Sequence, residues 1–225
     1  LEFFKFSKKL KTILYASSSS VYGEKGEKKL SNYSVNKPVS VYSASKISME
    51  LISNVYSKLY RMNLIGLRFF TVYGPWGRPD MAYFKFTKAI LNNKKIDVYN
   101  KGEMYRDFTY IDDVTKSIEL LINKMPKLNS KTKFKNDSIS NVAPFRIVNI
   151  GNQKRVYLKD FIKTIEIKLG KKAIKNYISM QKGDVKTTLS DTKLLQQLTK
   201  YKPKIVYKIG ISKFINWYKN YFREI

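Results

Sequence analysis

The chain has 225 residues, and its 44 Lys+Arg against 17 Asp+Glu give a formal charge of +27. It contains no histidine and no cysteine. That excludes disulfides, thiolate nucleophiles, zinc knuckles, imidazole metal ligands and any Ser-His-Asp triad, so proton transfer near neutral pH falls to Tyr, Lys, Asp, Glu or a bound cofactor, and no metal site is expected. Seven of the basic residues are arginine and 37 are lysines spread along the whole chain. A nucleic-acid reader more often shows clustered arginines or a compact basic stripe, so nucleic acid is not the expected partner. No apolar run approaches the ~18 residues of a membrane span, and lysines interrupt the stretch Leu1 to Leu10, which does not read as a secretory leader. The expected compartment is the cytoplasm, with no membrane partner.

In chain order, Thr12 to Ala16 reads as a short buried strand that runs directly into four serines, Ser17 to Ser20, and Val21-Tyr22-Gly23. Glu24 to Lys37 is polar and reads as a loop. From Ser40 to Arg61 the spacing becomes helical, with Ala44, Ile47, Leu51, Ile52, Val55 and Leu59 on one face. Asn63 to Arg68 is a second buried-strand pattern, and the strand–helix–strand order implies a parallel sheet. Thr71 to Asp80 is dense in Gly and Pro and reads as a loop. A helix over Ala82–Leu91 and strands at Ile96–Tyr99 and Asp107–Tyr110 follow. Asp112 or Asp113 is the expected N-cap of a helix running to Leu121. Lys124–Asn141 reads as a surface loop and Arg146–Ile150 as a strand. Leu158–Leu169 is a helix closed by Gly170. Asp191 is expected to cap a short helix ended by Pro203, and Ile209–Phe222 is a closing amphipathic helix. Only two strands fall in the first parallel unit, so the chain reads as the later part of an α/β domain.

The segment richest in chemistry is Val41-Tyr42-Ser43-Ala44-Ser45-Lys46. On a helix Tyr42 and Lys46 are i and i+4 and project from one face. An ammonium beside a phenol favours the phenolate and lowers the Tyr pKa from ~10, which makes a general base without histidine. The serine run lies at the carboxyl end of a buried strand, where open α/β sheets place their ligands.

Together YASSSSVYG, YSASK, LRFFTVYGPWGRPDM, MYRDFTYIDD and QKGDV, in this order and spacing, resemble the extended short-chain dehydrogenase/reductase family, the NAD-dependent epimerases and dehydratases, and within it the UDP-glucuronate 4-epimerases. The resemblance implies an α/β fold: the carboxyl-terminal part of a Rossmann-type parallel sheet with a small α/β substrate-binding domain. It implies a division at residues 1–80, the remaining half of the NAD-binding domain with the Ser/Tyr/Lys site, and 81–225, mainly a nucleotide-sugar-binding domain interleaved with the first near 100–150. It implies NAD as cofactor and a UDP-sugar as substrate. Ser18, Tyr42 and Lys46 would be catalytic, with Ser18 and Tyr42 on the sugar 4-hydroxyl. Ala16, Tyr42, Lys46 and Phe69 would line the cofactor. Ser19, Ser20, Thr71, Arg78, Arg106, Gln181 and Asp184 would contact the substrate. Arg106 and Asp184 match positions at the UDP part, and Gln181 stands where related 4-epimerases for neutral sugars often carry Arg.

Relatives that dehydrate or decarboxylate the sugar carry acidic residues where Ser19 and Ser20 stand here. The oxidised intermediate of a glucuronide is a β-keto acid, prone to lose CO2, and neutral donors on its carboxylate suit retention of that carbon. The family's glycine-rich GxGxxG turn for the NAD pyrophosphate has no counterpart in the 225 residues. The chain alone is therefore expected to have little or no activity, with the turn supplied by a missing segment or a separate chain. The resemblance implies a dimer contact through the Ser40–Arg61 helix and a neighbouring helix of which the chain holds at most the tail, so a homodimer of the full-length form stays open. Two alternatives stay open on the residues: another nucleotide-sugar epimerase or dehydratase, and a basic module that binds UDP or polyanions.

Overall fold

The computed structural model describes all residues except 8, 24–36, 129–133, 135–136, 182 and 224–225. Strand β1 (Ile13–Ser18) leads through a 3-10 turn (Ser19–Tyr22) to helix α1 (Val41–Tyr60), β2 (Leu64–Phe69), β3 (Thr71–Tyr73) and α2 (Ala82–Leu91). The chain continues with β4 (Lys95–Tyr99), β5 (Tyr105–Tyr110), α3 (Ile111–Ile122), β6 (Phe145–Ile150), β7 (Arg155–Tyr157), α4 (Leu158–Leu169), β8 (Ile174–Ile178), α5 (Lys193–Thr199) and α6 (Tyr207–Phe222).

Strands β1, β2 and β6 form a parallel sheet in that order. Ser17 lies opposite Arg68, and Ser18 opposite Phe69, so the serine run and the end of β2 finish at one edge. A parallel sheet needs cover on both faces, which explains why β2 and β6 are almost continuously apolar. One face packs Ile65, Leu67, Val148 and Ile150 against Val114 and Leu121 of α3 and Leu194, Leu195 and Leu198 of α5. Each such burial is worth ~1.5–3 kcal/mol. The other face, with Leu64, Phe145 and Ile147, receives Tyr15 and the Tyr56 and Tyr60 end of α1.

The remaining strands make two small sheets. β5 pairs in parallel with β3 and antiparallel with β7, while β4 pairs in parallel with β8. Their helices α2, α4 and α6 close an aromatic core around Tyr73, Phe108, Phe161, Phe214 and Tyr218, in which Phe108 and Phe161 stack with centroids 4.0 Å apart.

Several expectations change. The first residues of the expected Thr71–Asp80 loop pair as β3, because the next strand in space, β5, offers a parallel edge. Strands β7 and β8 carry no clear period of their own and take their form from β5 and β4. Neither Asp112 nor Asp113 caps α3, whose N-cap is Tyr110 with no side-chain bond. Asp113 instead turns inward and accepts from Tyr201 Oη (2.5 Å), Lys204 N (3.1 Å) and Ile205 N (2.8 Å). The N-cap of α5 is Thr192 rather than Asp191, although the Asp191 carboxylate still accepts from Lys193 N at 3.0 Å. That helix ends at left-handed Lys200, before Pro203 is reached. The closing helix starts at Tyr207 rather than Ile209. Gly170 does close α4, at φ +68°. The expected Glu24–Lys37 loop falls, apart from Lys37, outside the described residues. The described part of Lys124–Asn141 is not all surface: Asp137 is buried and takes both arms of the Arg146 guanidinium, since a buried carboxylate needs a paired charge.

Helix α1 departs most from its pattern. Leu51, Ile52, Val55 and Leu59 are each more than half exposed, while Ser43, Glu50, Ser53 and Ser57 are buried. The polar stripe faces the sheet and the apolar stripe faces away.

Candidate active site

The site is built at the carboxyl end of β1. Ser18 is the N-cap of the following 3-10 turn, and its Oγ accepts from Ser20 N (3.2 Å) and Ser20 Oγ (3.0 Å). Val21 and Tyr22 anchor that turn in the core. Gly23 then takes φ +62°, and a Cβ there would lie 1.5 Å from the Lys37 carbonyl, so the turn requires glycine.

Helix α1 begins beside this turn through a reciprocal capping box between Ser40 and Ser43. Tyr42 therefore sits in the first turn of the helix. It is half exposed. Lys46 lies one turn on, its Nζ 5.6 Å from the Tyr42 ring centroid and donating to the Ala16 carbonyl at 2.9 Å. Phe69, the register partner of Ser18, ends β2 alongside.

Two cavities adjoin the strand ends. One of about 170 Å³ is lined by Ser19, Ser20, Ser40, Ser43, Thr71, Thr187 and Thr188, with Arg106 and Asp184. A larger one of about 580 Å³ shares Thr71, Arg106 and Asp184, adds Gln181, and extends under the start of α2 past Asp80, Met81, Ala82 and Lys85 to Asp97 and Tyr99. The two thus meet at Thr71, Arg106 and Asp184. Arg106 Nη2 donates to both Asp184 oxygens (2.8 and 2.9 Å), and Nη1 to the carbonyls of Tyr105 and Lys186 (3.0 and 3.3 Å). Burial pulls the Arg106 pKa below its ordinary value, against the Asp184 charge that raises it.

Of the sequence-predicted residues, Ser19, Ser20, Thr71, Arg106, Gln181 and Asp184 come together on these cavities. Ala16, Ser18, Tyr42, Lys46 and Phe69 gather at the adjoining strand ends. Arg78 lines neither cavity: it is well exposed and forks onto Asp80 (2.7 and 3.1 Å), with the Tyr42 phenol among the groups acting on its charge. Lys85, Asp97 and Tyr99 were not singled out from the sequence. The alternation Lys95-Ile96-Asp97-Val98-Tyr99, polar outward and apolar inward, was the available signal for the last two.

A parallel sheet with a serine run, a Tyr/Lys pair and an arginine-lined cavity at its strand ends is a Rossmann-type arrangement, in which ligands bind at the carboxyl ends of the strands. Residues 3–151 match the NAD dependent epimerase/dehydratase family, and the chain belongs to that family. It is 46% identical over 217 residues to Protein CapI of Staphylococcus aureus, covering 96% of this chain and 65% of that protein. It is 42% identical over 217 residues to a probable UDP-glucuronate 4-epimerase of Rhizobium meliloti, covering 95% of this chain and 64% of that protein. Among solved structures it is similar to UDP-glucuronic acid 4-epimerase from Bacillus cereus in complex with UDP-glucuronic acid and NAD: TM-score 0.84, 31% identity, 98% of this chain and 65% of that one. The chain thus spans about 65% of the length of these relatives.

The family's cofactor is NAD. The residues here fit its nicotinamide end: the Lys46 ammonium, which a ribose hydroxyl can share, stands at the strand end beside Ala16, Ser18 and Phe69. The pyrophosphate turn is not among the 225 residues. Among the described residues no helix is long and apolar enough to cross a membrane, and no cluster of acidic residues could hold a metal ion.

Proposed function

We propose that the chain carries the proton-transferring and sugar-nucleotide-binding parts of a UDP-hexuronate 4-epimerase, interconverting UDP-glucuronate and UDP-galacturonate through a 4-keto sugar. The observation that carries this is the small cavity: among the described residues its lining is rich in Ser and Thr, and its carboxylate, Asp184, is held by Arg106. Such a wall can hold a uronate by neutral hydrogen bonds without a second anion beside it.

Tyr42 takes the proton from the sugar 4-hydroxyl and returns it, with the Lys46 ammonium one turn along the same helix. Ser18 bonds the same hydroxyl. Ser19, Ser20 and Thr71 hold the uronate carboxylate, and Arg78, released from Asp80, reaches the sugar. Arg106, Lys85 and the start of α2 face the diphosphate, with Asp184 and Gln181 beside the nucleoside. Ala16, Lys46 and Phe69 would hold NAD, which when bound supplies the reversible acceptor for hydride from C4. Residues 1–80 would form the cofactor side and 81–225 mainly the nucleotide-sugar side, interleaved near 100–150.

The test supplies UDP-glucuronate and NAD to the chain alone and to the chain mixed with the amino-terminal third of CapI, with products separated by chromatography. UDP-galacturonate is expected from the mixture and little from the chain alone. A mixture yielding UDP-pentose and CO2 as main products refutes the retained carboxylate. One that binds UDP but turns over only neutral UDP-sugars refutes the uronate assignment.

A further inference from the structure

Helix α1 carries Tyr42 and Lys46, yet its sheet-facing side is poor in the apolar contacts that usually seat a helix. Ser43, Glu50, Ser53 and Ser57 are buried there, while Leu51, Ile52, Val55 and Leu59 point away. Ile47, Tyr56 and Tyr60 contribute only partial packing. What ties the middle of the helix to the strands is polar. One turn beyond Lys46, the Glu50 carboxylate accepts from Ser17 Oγ (2.5 Å) and Arg68 Nε (2.9 Å) on one oxygen and from Arg68 Nη2 (2.6 Å) on the other. Glu50, Arg68 and Ser17 are all under a tenth exposed. The Arg68 guanidinium also lies 4.7 Å from the Tyr22 ring centroid, and Tyr22 Oη donates to Asn149 Oδ1 at 2.6 Å. Burial opposes the Arg68 charge, but Glu50 and Tyr22 together outweigh it and raise its pKa.

A buried ion pair is often matched in stability by apolar residues of equal size, so stability alone gives no reason for one here. Geometry gives one. Apolar surfaces tolerate sliding, whereas a forked pair with a third donor on the same carboxylate admits one axial position and one rotation of the helix. Ser17 immediately precedes Ser18 on β1, and Arg68 immediately precedes Phe69 on β2. Glu50 is therefore bound to the neighbours of two site residues while sitting on the helix that carries the other two.

We propose that Glu50 and Arg68, with Ser17, are positioning residues of this active site, setting α1 against β1 and β2 so that Lys46 meets the Ala16 carbonyl and Tyr42 faces Ser18. The claim rests on the role proposed above for Tyr42 and Lys46, but its test does not require turnover. With 3-fluorotyrosine at position 42, the fluorine resonance of the chain reports the nearby ammonium, and the Lys46→Met variant gives the signal without it. The double variant Glu50→Met/Arg68→Met removes the pair without stranding a charge, and Ser17→Ala removes one donor with little risk to folding. The expected result is a fluorine signal displaced at least half of the way to the Lys46→Met position in the double variant, and displaced in the same direction in Ser17→Ala, with circular dichroism and UDP affinity kept. Wild-type fluorine positions in the folded variants overturn the proposal. If the double variant does not fold, Ser17→Ala decides alone: a displaced signal supports the proposal and an unmoved one overturns it. Failure of the epimerase reading shows separately, in the product assay.

Discussion

Asp107 offers a sharp test of how the 184–190 segment is held. It is fully buried, and its carboxylate accepts from Asn152 N (2.8 Å) on Oδ1 and from Gln153 N (3.1 Å), Ser190 N (2.9 Å) and Ser190 Oγ (2.5 Å) on Oδ2. It thereby joins β5, the turn after β6, and the end of the 184–190 segment that brings Asp184 to Arg106. In Asp107→Ala, Gln153 N keeps Ser190 Oγ as a partner at 3.2 Å, but Asn152 N, Ser190 N and the Ser190 hydroxyl lose theirs. A stranded buried donor costs about 1–3 kcal/mol, so the loss comes to ~3–9 kcal/mol against a total stability of ~5–15. Asp107→Asn is milder but not neutral. If its oxygen keeps Asn152 N, its amide nitrogen meets three donors where Oδ2 met them; turned over, its oxygen takes those three and its nitrogen strands Asn152 N. Urea unfolding measures this, and with a slope of about 2 kcal/mol per molar Asp107→Ala should lose ~1.5–4.5 M in midpoint and Asp107→Asn at least ~0.5 M. UDP affinity should fall with them as Asp184 loses its support. An Asp107→Asn protein within about 0.5 kcal/mol of wild type would refute the reasoning, because it would mean that four donors on one carboxylate do not set the loop.

Arg106→Met should weaken UDP binding by about tenfold to a hundredfold, the value of one charge-assisted contact to phosphate at ~1.5–3 kcal/mol, as read by calorimetry beside an unfolding curve that accounts for the lost Asp184 contact. Glu166 gives a pH signature. Burial works to raise its pKa, but Lys175 Nζ (2.6 Å) and Ala173 N (2.9 Å) bring it below its ordinary 4.5. With the folded value below the unfolded one, its stabilisation is complete above the unfolded pKa and is lost as pH falls through the folded one. Glu166→Gln should therefore be less stable than wild type at neutral pH, with the gap closing below about pH 4 in urea titrations. The outward face of α1 should mediate association, so Val55→Lys with Leu59→Lys should shift the chain toward monomer in analytical ultracentrifugation without lowering UDP affinity; an unchanged sedimentation profile would argue against this face.

Local pattern was enough for much of the molecule. Buried strands such as β2 and β6 announce themselves because both faces are covered, and Gly170 closes α4 because its φ is one that only glycine adopts freely. The Tyr42–Lys46 pair follows from helical spacing, and the serine run from its place at the end of β1. Tertiary structure decided what spacing cannot express. The apolar side of α1 was visible, but whether it faced the sheet depended on Glu50 finding Arg68 on another strand, a pairing with no periodic signal. Asp113 has the form of a helix cap until Tyr201 and the 204–205 backbone arrive across the fold to claim it. Arg106 and Asp184, far apart in the chain, become one element of the site only when the 184–190 segment is tied down by Asp107. Periodicity records which side of an element meets water or protein. The partner of a buried charge is chosen by long-range contacts, and in this protein those charges hold the site together.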